Sequence, residues 1–189
     1  MRNALPLDNP VLHPAEAAII RKAGMQDIRP LLGLINGYAE QGVMLPRTEF
    51  EMSENIRDFS VIFLDGQLAG CGALHFYSPT VAEVRSLAVD PRIKKRGVGR
   101  MIVEALELEA REFQLHSIFA FTYVDRFFGR MGFQIVERGE LPLKAWKDCL
   151  RCPKFQCCDE IAMVKHLVAH PERPADKLVE MPVFPILKG

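Results

Sequence analysis

The stretch from Glu83 to Arg100 reads EVRSLAVDPRIKKRGVGR. Its apolar, β-branched run ends at Val89 and meets a turn at Asp90-Pro91. A basic loop then closes on Gly97-Val98-Gly99. An amphipathic helix pattern follows, with Met101, Ile102, Ala105, Leu106 and Leu108 on its apolar side. A strand, a glycine loop and a helix start are the parts of a phosphate cradle. Amides at a helix N-terminus have no partner inside the helix, and the helix dipole favours an anion there. Glycine lets that backbone approach a ligand closely, because a Cβ would stand in the way. Arg92, Lys94, Lys95, Arg96 and Arg100 set five cationic side chains around the same spot. The spacing points to a polyphosphate ligand; the plain alternative is a strand-to-helix turn with solvated charges. Two common nucleotide loops are excluded. There is no G-x-x-x-x-G-K-[ST], and Ile102 holds the place of the third glycine in G-x-G-x-x-G.

Thiols form a second cluster. Cys149, Cys152, Cys157 and Cys158 fall within ten residues. Four thiolates are the donor set of a tetrahedral structural zinc, although the last two are adjacent where zinc sites use spaced pairs. A reduced or redox-labile thiol patch is the alternative. Cys71 lies in an apolar run and reads as a core thiol rather than a nucleophile. His75 and His116 read as surface or strand-end residues.

The elements that must position these groups follow from periodicity and punctuation. Residues 1–17 carry Pro6, Pro10 and Pro14 and read as an irregular arm. Ala18 to Lys22 reads as a strand. Gly24 to Glu40 reads as a helix, with Ile28, Leu31, Leu32 and Ile35 on one face. Thr48 and Glu51 form a capping box for a short helix ending near Phe59. Val61 to Leu64 and Gln67 to Phe76 make a hairpin about Asp65-Gly66. Val81 to Val89 is the next strand, and the helix after the glycine loop runs to about Phe113. Ser117 to Tyr123 is a strand, Arg126 to Met131 a short helix, and Phe133 to Val136 and Ile161 to Lys165 are late strands. Residues 168–189 are a Pro-rich tail. The order implies a mixed α/β sheet in a single domain.

The 189 residues are 49% hydrophobic with zero formal net charge, enough apolar material for a core and no surface for nucleic acid. No apolar run approaches the roughly 18 residues that cross a membrane. The N-terminus lacks the apolar h-region of a signal peptide, and five cysteines suit a reducing cytoplasm. Oligomeric state is not legible, and a homodimer is compatible with the sequence.

The run from Lys94 to Gly99 resembles the acetyl-CoA signature of the GNAT superfamily of N-acetyltransferases, [QR]-x-x-G-x-[GA], with Lys94 where the family has Gln or Arg. Phe127-Phe128-Gly129-Arg130-Met131-Gly132-Phe133 is similar to the family's late F-[FY]-x-x-x-G-F element. The likeness covers residues 18–167 and implies the GNAT-like mixed, mostly antiparallel sheet flanked by helices. Acetyl-CoA would be held by Lys94, Lys95, Arg96, Gly97, Val98, Gly99 and Arg100, with backbone amides of Leu87, Ala88 and Val89 at the thioester carbonyl. In that family a Glu near the start of this strand often serves as base, which implies Glu83. The other reading of Glu83 is a solvated strand-edge carboxylate. Tyr123 ends a strand near the expected thiol and could act as general acid, or simply pack by its ring.

Three further features are similar to the amino-acid N-acetyltransferases of the N-acetylglutamate synthase type. They are Gln41-Gly42-Val43-Met44-Leu45-Pro46-Arg47-Thr48, the strand Glu83 to Val89, and Leu141-Pro142-x-Lys144-x-Trp146. An amino-acid acceptor brings carboxylates, and arginine binds these bidentately, so Arg47 and Arg85 are the candidate clamps. The resemblance implies transfer to a small-molecule amino acid, above all glutamate, by direct attack in a ternary complex. The alternatives are a GNAT enzyme acting on a protein lysine or another small amine, and a non-catalytic acetyl-CoA-binding module.

Overall fold

The structure, a computed structural model, describes residues 18–93, 96–141, 154 and 157–167. The expected N-terminal arm and Pro-rich tail lie outside them. Seven strands form one sheet in the order β1-β2-β3-β4-β5-β7-β6. They are β1 Ala18–Lys22, β2 Phe59–Leu64, β3 Gln67–Ser78, β4 Val81–Val89, β5 Ser117–Thr122, β6 Gln134–Ile135 and β7 Ile161–His166. The helices are α1 Ile28–Ala39, α2 Glu49–Asn55, α3 Val98–Glu112 and α4 Asp125–Arg130. The sheet is mostly antiparallel; β4 and β5 run parallel over Val81 to Glu83 only. The described residues divide into two compact units, those of 18–75 with 84–106 and those of 76–83 with 107–167.

In the first unit the sequence of β3 decides the packing. Alternate residues of a strand face opposite sides. Cys71 and Ala73 join Ile28, Leu31 and Ile35 of α1 and Met52 of α2 in a buried cluster. The intervening Gly70 and Gly72 face α3. A Cβ on Gly70 would stand 2.8 Å from the Ala88 carbonyl oxygen and 2.9 Å from Ile102 Cδ1. One on Gly72 would stand 2.7 Å from Ile102 Cγ2. The absence of both side chains lets the start of α3 lie against the strand, with Val98, Ile102 and Leu106 buried. Leu108, assigned above to the apolar side, is 60% exposed. Val103 and Ala110 are buried instead, because the buried stripe follows the 3.6-residue period from Ile102 and passes Leu108 by.

Local signals explain the joints. Thr48 accepts from the Glu51 amide at 3.2 Å and the Glu51 carboxylate accepts from the Thr48 amide at 2.9 Å, so α2 opens on a full capping box. Asp65 and Gly66 have φ of 49° and 75°, the positive pair that a tight hairpin of right-handed twist needs. Asp27 is buried at the entry to α1, where its carboxylate binds the Arg21 guanidinium at 2.6 and 2.9 Å and the Gly24 amide at 2.8 Å. The Arg21 bond holds Asp27 below its usual pKa.

In the second unit Phe119, Leu141 and Ala162 are buried with Tyr77, Val81, Phe121, Val136 and Val164 packed against them. The late Phe-Phe-x-x-x-Gly-Phe element is a helix stop. Gly132 takes φ of 86°. The Phe133 amide reaches back to the Phe128 carbonyl (3.1 Å) and the Gly132 amide to that of Gly129 (3.0 Å). The Phe128 and Phe133 rings meet edge to face at 5.0 Å. This is the Schellman motif with its apolar contact.

Substituting Gly72→Ala or Gly70→Ala should lower stability by about 1–3 kcal/mol through overpacking. The Gly70 variant should lose more, because its new methyl meets a backbone carbonyl that cannot rotate away. Urea melts of the two variants check the order.

Candidate active site

The glycine loop begins where β4 ends. The Asp90 amide donates to the Ala69 carbonyl at 2.9 Å, and the Tyr38 hydroxyl donates to the Val89 carbonyl at 2.6 Å. These bonds tie the strand end to β3 and to α1. Gly97 has φ of 83° and nothing lies within 4 Å of where its Cβ would stand. The Met101 amide bonds the Gly97 carbonyl at 3.0 Å, closing the first turn of α3. The amides before it belong to the orphan donors of a helix start. Val98 is buried, so its side chain anchors the loop. Ala88 is likewise buried. The open space at Gly97 and this helix start fit a pyrophosphate.

Two of the five cations are paired locally. Arg92 folds onto Asp90, with Nη2 2.6 Å from Oδ2 and its own amide 2.9 Å from Oδ1. These bonds hold the Asp90 carboxyl below its usual range. Arg100 Nε donates to Glu104 at 2.7 Å, one helical turn on. Both carboxylates are near neighbours in sequence, and a local pair forms at little chain-entropy cost. Arg96 is exposed. Lys94 and Lys95 lie outside the described residues.

β4 carries the candidate base as well. Glu83 is 9% exposed, and Tyr77 Oη donates to its Oε2 at 3.0 Å. It is a held carboxylate rather than a solvated edge residue. Tyr77 packs on Phe119 with centroids 5.6 Å apart. Sequence reasoning missed Tyr77; its place near the end of β3 was the available signal. Beyond Arg85, Ser86 adopts φ of 52°. A left-handed serine costs about 1–2 kcal/mol and breaks the two-residue alternation just before Leu87, Ala88 and Val89. The Ser86 carbonyl accepts the Cys71 thiol at 3.7 Å. Burial pushes that thiol up to about 12, so Cys71 is the inert core thiol expected.

Tyr123 follows β5 directly. Its hydroxyl donates to Asp159 Oδ1 at 2.8 Å and accepts from Lys154 Nζ at 3.1 Å. Desolvation raises its pKa first, with Lys154 opposing and Asp159 adding. Arg47 is fixed through its backbone. Its amide donates to Asn36 Oδ1 at 2.8 Å and its carbonyl accepts from Asn36 Nδ2 at 2.9 Å. Arg85 is half-buried beside Asp58, with Nη2 3.9 Å from Oδ2. His75, read above as a surface or strand-end residue, is half-buried within β3 and bonds Asp58 through Nδ1 at 2.6 Å. Asp58 just precedes β2, far from His75 in sequence, and no local pattern announces the pair. His116 is exposed, as expected. Of the cysteine cluster, Cys149 and Cys152 lie outside the described residues. Cys157 is exposed and Cys158 half-buried, and no metal-ligating cluster occurs among the described residues.

The model of the acetyltransferase (GNAT) family matches residues 26–133. The chain belongs to this family. An N-acetyltransferase of Chlorobaculum tepidum, named as uncharacterized, is 42% identical over 154 residues, 82% of this chain and 99% of that protein. The amino-acid acetyltransferase of Mycobacterium tuberculosis is 34% identical over 122 residues, 63% of this chain and 70% of that enzyme. The solved N-acetylglutamate synthase of Neisseria gonorrhoeae, complexed with coenzyme A and N-acetyl-glutamate, matches with TM-score 0.74 and 29% identity. That match covers 82% of this chain and 36% of the synthase. No described helix of this GNAT enzyme is long and apolar enough to cross a membrane.

Substituting Gly97→Val in this GNAT acetyltransferase should weaken acetyl-CoA binding by about tenfold or more, since the left-handed backbone carries a strain of about 1–2 kcal/mol and a side chain fills the cradle. The fold should persist, as no atom crowds the site. Calorimetry beside a thermal melt checks both, and unchanged affinity removes this loop from the binding site.

Proposed function

We propose that this chain transfers the acetyl group of acetyl-CoA to the α-amine of an amino acid, glutamate above all, the N-acetylglutamate synthase reaction of arginine synthesis. The observation that carries the reading is a buried carboxylate, Glu83, held by the Tyr77 hydroxyl on the strand that runs on to the glycine loop. The likeness to the amino-acid acetyltransferase of Mycobacterium tuberculosis and to the Neisseria gonorrhoeae synthase supports the acceptor class.

Each residue has a stated task. The orphan amides at the start of α3, with Arg96, Gly97, Val98, Gly99 and Arg100, hold the pyrophosphate; Lys94 and Lys95 add charge beside them. Glu83 accepts a proton from the acceptor's ammonium, directly or through water, and frees the nitrogen lone pair. The amine nitrogen then bonds to the thioester carbon. Amides of Leu87, Ala88 and Val89 donate to the oxygen as it gains charge. As the carbon–sulfur bond breaks, the nitrogen sheds its second proton to water, Tyr123 gives its proton to the leaving thiolate, and solvent later returns a proton to Tyr123. The raised pKa of Tyr123 keeps that proton in place until then, and Lys154 steadies the phenolate that results. Arg47 and Arg85 receive the acceptor's carboxylates. The cytoplasm is the compartment this reading implies. A zinc on the cysteine cluster would be structural, since no step uses it.

Glu83→Gln keeps shape and removes proton acceptance. Its rate should fall by roughly 10²–10⁴ near neutral pH and by less at high pH, where the amine is already neutral. A pH–rate profile equal to wild type takes Glu83 out of the mechanism. Arg47→Ala and Arg85→Ala should each lower kcat/KM for glutamate by about tenfold or more, the value of one lost charge-assisted contact, with acetyl-CoA affinity unchanged. Thiol-release assays with glutamate and with peptide lysines test the whole reading, and a preference for peptide lysine overturns the amino-acid acceptor.

A further inference from the structure

We propose that Asp58 is a positioning residue for Arg85, and that His75 sets the position of Asp58. The inference rests on the reading of Arg85 as a carboxylate clamp and adds how that clamp is prepared.

Asp58 closes a short 3-10 turn, Ile56–Asp58, immediately before β2. Its backbone is pinned. The Lys22 ammonium donates to the Asp58 carbonyl at 3.2 Å, and the next residue's carbonyl, that of Phe59, accepts the Ala23 amide at 2.9 Å. One carboxylate oxygen, Oδ2, then serves two partners on two strands. It accepts from His75 Nδ1 on β3 at 2.6 Å and lies 3.9 Å from Arg85 Nη2 on β4. Side-chain exposures are 21% for Asp58, 23% for His75 and 11% for Arg85. The group is screened less than surface charges are.

The two distances mean different things. At 2.6 Å the histidine makes a hydrogen bond; the carboxylate can only accept, so Nδ1 carries the proton. At 3.9 Å the arginine feels Asp58 by charge, beyond hydrogen-bond reach. Asp58 therefore aims the guanidinium by charge from this oxygen. The bond from His75 fixes the carboxylate from which that charge acts. A long arginine side chain loses rotamer freedom when it binds, and an arginine already aimed loses less on meeting an acceptor's carboxylate. Such a gain appears in KM for the acceptor, because the same contact persists through the reaction.

The test is steady-state kinetics with glutamate for wild type, D58N, D58E, H75Q, R85A and the D58N/R85A double variant, each checked for acetyl-CoA binding by calorimetry as proof of fold. D58N should raise KM for glutamate by about five- to tenfold with kcat within about twofold, and the double variant should match R85A alone, as residues acting through one another do. D58E should recover part of the loss. H75Q should raise KM in the same direction, and it carries the test should D58N fail to fold. If R85A is impaired while D58N and H75Q match wild type, or if D58N adds its full effect on top of R85A, the positioning role is overturned and the clamp stands. If R85A handles glutamate as wild type does, or wild type does not acetylate glutamate, the clamp reading falls and this inference falls with it.

Discussion

The closeness with which α3 lies on β3 governs where the glycine loop can be. Two residues without side chains, Gly70 and Gly72, leave the space that Ile102 fills. Full burial of such a side chain is worth about 1.5–3 kcal/mol, and the contact is steric as well as apolar. With Ile102 seated, the first turn of the helix has one height above the strand. The Ala88 carbonyl, against which a Gly70 methyl would press, belongs to the same arrangement. The orphan amides of α3 and the end of β4 are thereby referred to one short piece of sheet. A cradle that must offer amides at hydrogen-bond distances gains from being mounted on contacts that cannot slide.

β4 concentrates the remaining chemistry in nine residues. Its first part holds Glu83 in register with Phe119 of β5. Its middle carries Arg85, and Ser86 then turns left-handed. Regular alternation would point every second residue the same way to the end of the strand. The left-handed residue resets that sequence between Arg85 and Leu87. Strain of this sort persists only where neighbours hold it, and the Cys71 thiol on the Ser86 carbonyl is one such hold.

The elements were legible because their signals are local. Thr48 and Glu51 announce α2, Asp65-Gly66 announces the hairpin, and the stripe beginning at Ile102 announces α3. The glycine turn before α3 was legible for the same reason. The late phenylalanine–glycine element was legible as a motif, yet its physical meaning, a helix stop with a ring-to-ring contact, needed coordinates. What stayed hidden is non-local. Tyr77 meets Glu83 only because two strands pair, and Asp58 meets His75 only across the sheet. Ser86 was invisible for another reason: serine carries no preference for the left-handed region, where asparagine or glycine would have given warning. Leu108 was misplaced because the apolar residues of α3 span a wider arc than the stripe that is buried.

Arg92 bound to Asp90 and Arg100 bound to Glu104 have a bearing on ionic strength. Five unshielded cations would gather a dense cloud of anions from solution, and a phosphate would bind largely by releasing them. Two of the five already carry a carboxylate each. An arriving phosphate there exchanges one tethered anion for another, a step to which dissolved salt is nearly indifferent. Under the proposed binding mode, added salt should therefore weaken cofactor binding less steeply than a count of basic residues implies.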